Sequence, residues 1–352
     1  MTRAQINAKR TRCRYVGIWL LLCTLVVYVM ISVGGITRLT QSGLSMVEWE
    51  PIMGTIPPLN EQDWSEVFAK YQTSPEYLKV NKGMSLPEFK KIFWWEYGHR
   101  VLGRFIGVLF FFPFLFFALR GYLSGRWKAK LIGVFALGGL QAVVGWYMVK
   151  SGLVNNPHVS QYRLAAHFGI ALLIFTFLMW FTLEFLRGQT RRVDDIGKLK
   201  GKTFCVLCLV FFMMITGAFV AGTKAGHIYN TFPLMGGAWV PDGLLAIQPV
   251  WKNFFENSLT IQFIHRCLAY VVGIAVIGLF LYGRKRIEEW PILNYGKELI
   301  IVLLLVVCQI SFGIIALINK VPLFWGVLHQ ATAVALLTSL LFLLHKVARD
   351  YH

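Results

Sequence analysis

Acidic side chains are scarce in this chain: 17 Asp and Glu stand against 35 Lys and Arg in 352 residues, a formal charge of +18. Charge of either sign is sparse, at 15%, whereas a soluble domain carries about 25%. With 56% hydrophobic residues and several apolar runs of about 20 residues, this composition excludes an ordinary water-soluble globule. Cysteine is scarce as well. Cys13, Cys23, Cys205, Cys208, Cys267 and Cys308 all fall in or beside apolar runs or on the basic side of the chain. None lies in the segments expected to face outwards, which argues against a disulfide framework there. Cys205 and Cys208 have CxxC spacing, but at the edge of an apolar run, where small packing residues are the simpler reading. The first apolar run follows a basic N-terminus and lacks a small-residue cleavage site, so it reads as a membrane helix rather than a signal peptide.

What is present is a set of eight apolar spans, near 16–35, 97–119, 130–150, 163–186, 203–222, 259–282, 298–318 and 323–346. The basic residues cluster between them. Arg3, Lys9, Arg10, Arg12 and Arg14 precede the first span, and Arg120, Arg126, Lys128 and Lys130 separate the second from the third. Arg187, Arg191, Arg192, Lys198, Lys200 and Lys202 separate the fourth from the fifth. Arg284, Lys285, Arg286 and Lys297 separate the sixth from the seventh, and Lys346 and Arg349 follow the eighth. All lie on one side of an eight-span chain, the pattern of cytoplasmic loops. Both termini are therefore expected inside, and the net charge reports topology and attraction to anionic headgroups rather than nucleic-acid binding.

The chain reads as a tandem repeat. Gly35-Ile-Thr-Arg38, Ser42-Gly43 and Pro51-Ile-Met-Gly54 after the first span correspond to Gly222-Thr-Lys224-Ala-Gly226 and Pro233-Leu-Met-Gly236 after the fifth. Leu140-Gln141-Ala-Val-Val-Gly145 echoes Cys308-Gln309-Ile-Ser-Phe-Gly313. Four spans return the chain to its starting side, so an N-terminal half, 1–190, and a C-terminal half, 191–352, are expected as two four-helix bundles. They would be related by a pseudo-twofold along the membrane normal.

Each half carries two histidines near the outer ends of its second and fourth spans: His99 and His167, then His265 and His329. Ionisable groups in the hydrocarbon layer are costly and usually functional. An imidazole from each of two helices fills both axial positions of a haem iron, so the pairs are expected to be two bis-histidine sites. His158, His227, His345 and His352 lie in loops or at the inner end and are read as non-ligands. Arg100, Arg266, Arg38, Arg163 and Lys224 lie at the same outer rim, suited to haem propionates or to snorkelling towards headgroups. Glu96 precedes His99 by three residues on one helical face, whereas Gln262 holds that place before His265. A carboxylate beside one site and an amide beside the other points to one reactive site and one electron-storage site.

Together with Gly34-Gly-Ile-Thr-Arg-Leu-Thr-Gln-Ser-Gly-Leu-Ser45, Glu96-Tyr-Gly-His-Arg100 and the three later histidines, this chain resembles the haem A synthase family, in its class from alphaproteobacteria and mitochondria that lacks outer-loop cysteine pairs. The resemblance covers nearly the whole chain. It implies oxidation of the C8 methyl of haem O to a formyl group, through successive hydroxylations and loss of water, for the cytochrome oxidase cofactor. It places haem O between His99 and His167 with Glu96 as the acidic residue of the oxidation, and a haem b cofactor on His265 and His329. It also implies haem O synthase, an electron donor or acceptor protein or quinone, and oxidase assembly factors as partners.

The short basic N-terminus makes a bacterial inner membrane the expected location rather than a mitochondrial one, with the haem sites expected near the periplasmic face. The long outer segment, about 36–92, holds Trp49 and Trp64 and leads to Trp94 and Trp95. It would either cover the substrate site or anchor at the interface. A membrane di-haem electron-transfer cytochrome linked to quinone accounts for the four histidines equally, but leaves the Glu96/Gln262 difference without a role.

Overall fold

Eight long helices carry the fold in a computed structural model that describes residues 3–48, 53–152, 158–187, 197–289 and 294–350. The helices are α1 (Arg3–Leu39), α2 (Glu61–Gln72), α3 (Pro75–Lys79), α4 (Leu86–Leu119), α5 (Gly125–Gly152), α6 (Gln161–Leu186), α7 (Gly197–Gly222), α8 (Asn253–Glu256), α9 (Ser258–Glu289), α10 (Gly296–Ile318) and α11 (Leu323–Asp350). All but α2, α3 and α8 are long and apolar enough to cross a membrane. This is the expected all-α multi-pass membrane fold. Trp49, Pro51, Arg191, Arg192, His352 and the expected boundary at 190/191 lie outside the described residues.

Within each half the long helices touch in a closed cycle. α1 packs on α4 and α6, and α5 bridges α4 to α6; α7 packs on α9 and α11, and α10 bridges α9 to α11. The halves meet through α1, α6, α7 and α11. One continuous apolar core spans both, with Leu20, Leu172, Leu178, Leu337, Leu340 and Val347 among its buried residues. Polar ties cross the joint between halves. The Gln330 amide donates to Ile31 O at 2.9 Å, Tyr28 Oη donates to Ala331 O at 2.9 Å, and Arg38 donates to Ala221 O at 2.7 Å. Backbones come close there too: a Cβ added to Gly222 would sit 2.6 Å from Gln161 Cβ.

The departure from the expected spans that bears on the site is α4, which begins at Leu86 rather than near 97. Its start is defined by Ser85, whose backbone N–H and hydroxyl both donate to Glu88, at 2.9 and 2.7 Å, with Pro87 in the first turn. The polar first turns extend beyond the apolar stretch and form one wall of a folded cap. Asn60 caps α2 by accepting from Asp63 N at 2.8 Å, and Ser74 caps α3 by accepting from Tyr77 N at 3.2 Å. Trp64, Tyr71, Phe89 and Phe93 form a separate small core beneath them. Trp64 is therefore the centre of the cap and not an exposed anchor, while Trp94 and Trp95 remain exposed.

Candidate functional site

The four histidines lie at one level, towards the cap side of the bundle. His167, His265 and His329 fall within about two turns of the starts of α6, α9 and α11. His99 lies deeper along α4 only because that helix starts early. His99 is within electrostatic reach of His167, and His265 of His329. These are the pairs expected from the repeat.

Each imidazole faces a glycine on the neighbouring helix. A Cβ at Gly145 (α5) would meet His167 Cε1 at 2.8 Å, and one at Gly313 (α10) would meet His329 Cε1 at 2.8 Å. At Gly34 (α1) the contact would be His99 Nε2 at 3.3 Å, and at Gly217 (α7) His265 Cε1 at 3.4 Å. The rings are enclosed by protein yet only half-buried, so they are not packed out by neighbouring side chains. The missing Cβ lets each imidazole lie close against the neighbouring backbone.

The ring nitrogens are partly committed. Gln141 lies 3.2 Å from His167 Nε2 and Gln309 3.4 Å from His329 Nε2. His329 Nδ1 lies 3.0 Å from Gln309 O, and His265 Nδ1 2.8 Å from Thr216 Oγ1. An Nδ1 bond of this kind orients a histidine that ligates through Nε2. Among the described residues, buried His167 Nδ1, Gln141 Oε1 and Gln309 Oε1 find no hydrogen-bond partner, which leaves polar capacity unspent beside the rings. Two imidazoles per half, glycines opposite them and unspent polar atoms fit an iron porphyrin. Among the described residues no group of three or more His, Cys, Asp or Glu is placed to hold a bare metal ion.

Above the histidines the two halves use the same device with different chemistry. Glu96 is buried, 2% exposed. Its Oε1 accepts from Arg100 at 2.6 Å, and its Oε2 accepts from Ser45 Oγ at 2.7 Å and Met46 N at 2.8 Å. Arg100 also donates to Met46 O at 2.9 Å and Glu48 O at 3.0 Å. In the other half the Gln262 amide donates to Tyr229 O at 3.0 Å. Arg266 donates to Tyr229 O at 2.8 Å and Thr231 O at 2.9 Å. Both pairs thus tie the descending chain after α1 or α7 onto the helix that bears a histidine.

The remaining rim residues converge on one place. Arg38, Arg163 and Lys224 line a cavity of about 510 Å³ with His158 and Gln161, between α1, α6 and the end of α7. It draws on both halves. Arg163 also donates to Tyr147 Oη at 3.1 Å and stacks over that ring. Among the described residues Arg38 Nε is buried without a partner, and Lys224 holds a left-handed backbone at φ 56°. Burial depresses His158 protonation, and the Lys224 and Arg38 charges add to this.

A family model described as "Cytochrome oxidase assembly protein" (COX15-CtaA) matches residues 17–341. The chain belongs to this family. A relative named heme A synthase from Nitrosospira multiformis is 47% identical over 338 residues, 95% of this chain and 94% of its own. Others of that name, from Parvibaculum lavamentivorans (45%, covering 94% of each chain) and Paramagnetospirillum magneticum (47%, covering 96% of this chain and 94% of its own), are similar over nearly the full length.

Within this COX15-CtaA member, sequence reasoning missed one group. Glu76, in α3 of the cap, is 5% exposed and accepts from Tyr71 Oη at 3.2 Å, while Asn81 donates to the same phenol oxygen at 2.7 Å. Burial, then the charge of Glu96, push the Glu76 carboxyl up to about 7, against the opposing pull of Tyr71 and Lys224. Nothing in a segment that also holds Glu48, Glu50, Glu61, Asp63, Glu66 and Glu88 singles it out by spacing. His227 lies exposed on a short turn, and His345 is fully buried at the opposite end beside Trp180, 3.4 Å from Glu184.

Proposed function

We propose that this chain is a haem A synthase, an oxidoreductase that converts the C8 methyl of haem O to a formyl group in haem A for cytochrome oxidase. The observation that carries this reading is the set of two histidine pairs, each ring facing a glycine, in a chain matched end to end by proteins of that name. His99 and His167 would face haem O, and His265 and His329 would hold a haem b. Bound there, haem b supplies one-electron transfer. The two closed cycles of helices are read as two bundles, one per haem, related by the repeat in sequence.

The chain's own groups bind, orient and exclude water. Imidazoles on facing helices would hold each porphyrin, and Thr216 and Gln309 fix the ring orientation of His265 and His329. Arg38, Arg163 and Lys224 supply cationic donors for propionates at the shared cavity. Arg100 and Arg266 act one step removed, holding loop carbonyls over the sites. Glu96 keeps the Ser45–Met46 turn closed over the substrate half, which positions substrate and keeps water out during oxidation. Two hydroxylations would take the methyl carbon through the alcohol to the hydrated aldehyde, each passing two electrons to the redox partner or quinone and taking its oxygen from water, and loss of water would leave the formyl group.

On this reading both termini lie in the cytoplasm and the haem sites face the periplasm of a bacterial inner membrane, which the basic loops at the opposite end support. Haem O synthase, redox partners or quinone, and oxidase assembly factors remain the partners this reading implies. The test is chromatography of haems from cells expressing this chain with a haem O source. Haem A or its hydroxymethyl precursor, absent from the empty-vector control, is expected. Unaltered haem O beside a well-populated haem b signal would favour the di-haem electron-transfer reading.

A further inference from the structure

The two histidine pairs are held differently at Nδ1. In the C-terminal half both rings find an acceptor there. Thr216 Oγ1 donates its one proton to Met213 O at 2.8 Å, so towards His265 Nδ1, also 2.8 Å away, it accepts. His329 Nδ1 donates to Gln309 O at 3.0 Å, because a carbonyl only accepts. Each ring thus carries its proton on Nδ1 and keeps the Nε2 lone pair for a metal. In the N-terminal half neither ring is anchored in this way. Among the described residues His167 Nδ1 is buried without a partner, and the His99 ring makes no hydrogen bond.

For His99 the difference comes down to one residue. Gly34 faces His99 as Gly217 faces His265. With these two glycines in register, Met30 falls on Met213 and Val33 on Thr216. Valine has the shape of threonine without its hydroxyl. Ser32, one position further back on α1, donates to Tyr28 O at 3.2 Å instead. The rings also present different edges: a Cβ on Gly34 would meet His99 Nε2 first, one on Gly217 His265 Cε1.

We propose that Thr216 is the positioning residue that makes the C-terminal pair a retaining haem site, and that Val33 in its place leaves the N-terminal pair able to exchange its haem. A hydrogen bond from Nδ1–H fixes the ring and makes the imidazole a stronger donor, and such outer partners are worth about 10–100-fold in metal affinity. An enzyme that keeps one haem and releases the other needs two residence times from one repeated fold. Thr216 and Val33 supply that difference while both ligand pairs stay histidine. The inference rests on the haem reading of the two pairs and deepens it.

The test uses the full-length protein in lipid, loaded with haem b. It follows haem transfer to excess apomyoglobin, beside a redox titration. Wild type is expected to release haem in a fast phase, lost in His99→Ala, and a slow phase, lost in His265→Ala. Thr216→Val is expected to accelerate the slow phase about tenfold or more and to raise the midpoint potential of that haem. An imidazole without its Nδ1 acceptor stabilises ferric iron less. Thr216→Ser is expected to restore both, which a packing role for the threonine methyl would not. Val33→Thr is expected to slow the fast phase, and carries the test alone should Thr216→Val fail to fold. Thr216→Val with the wild-type slow phase and potential, or Val33→Thr with the wild-type fast phase, overturns the proposal; if His265→Ala still abolishes the slow phase, the haem reading stands. A slow phase that survives His265→Ala overturns both.

Discussion

Gly145 and Gly313 each let an imidazole lie where a side chain would otherwise stand. At 2.8 Å, a Cβ on either would displace an imidazole by several tenths of an ångström, and overpacking of this kind costs about 1–3 kcal/mol. Gly313→Ala is expected to perturb the low-spin haem b spectrum while leaving the N-terminal site intact, and Gly145→Ala the converse. Absorption and electron paramagnetic resonance spectra of the purified variants check this; identical spectra would remove the glycines from the sites. His265→Ala and His329→Ala are each expected to diminish the haem b signal. Glu96→Ala is expected to retain bound haem and lose product, because the helix and the histidines stay while the turn at Ser45–Met46 is released. Removing one partner of a buried pair costs about 3–5 kcal/mol, less here because Arg100 keeps two loop carbonyls.

At this scale the histidines were legible because they recur, and Gln141…Gly145 and Gln309…Gly313 because they echo each other. The structure adds that these two motifs face His167 and His329. The direction of Arg100 and Arg266 was not legible. A guanidinium fork suits a propionate and a pair of loop carbonyls equally, and only the path of the loop shows which it meets.

Among the elements, the cap stands most on its own. Its small core of Trp64, Tyr71, Phe89 and Phe93 is separate from the core between the spans. Trp64→Ala is expected to destabilise the cap by about 3–5 kcal/mol while the spans stay folded. Limited proteolysis checks it: cleavage within 53–85 should accelerate with the membrane fragments intact, and an unchanged rate would contradict an independent cap core.

Stability of the cap is expected to depend on pH through Glu76. Its folded carboxyl binds a proton more tightly than an unfolded one, so its stabilising contribution is complete below about 4.5 and is lost as pH rises towards 7. Glu76→Gln should remove that loss, so its cap melts at higher temperature than wild type above pH 7. The length of the 36–92 segment signalled structure of its own, and Ser85-Leu-Pro-Glu88 carries a recognisable helix start. The early turns of α4 were hidden because Lys90 and Lys91 interrupt the apolar pattern while the backbone continues straight through.

For the whole molecule, the eight spans follow directly from apolar run length, while the two closed cycles of contacts come from the structure. The joint between halves was not legible, since it rests on single polar ties such as Gln330 to Ile31 O and Arg38 to Ala221 O. That joint also gathers Arg38, Arg163 and Lys224 from both halves around one cavity. Replacing Arg163 by Ala, alone or with Lys224→Ala, is expected to weaken retention of a propionate-bearing haem more than of its dimethyl ester. Equal weakening of both would contradict carboxylate recognition there.

The central claim is that one histidine pair keeps its haem unchanged while the other presents a haem for oxidation. Its most direct test is chromatography of the haems extracted from the purified protein itself, from cells supplying haem O. Two species are expected: unmodified haem b, lost in His265→Ala, and haem O or its oxidised products, lost in His99→Ala. A single unmodified species, equally reduced by both substitutions, would contradict it.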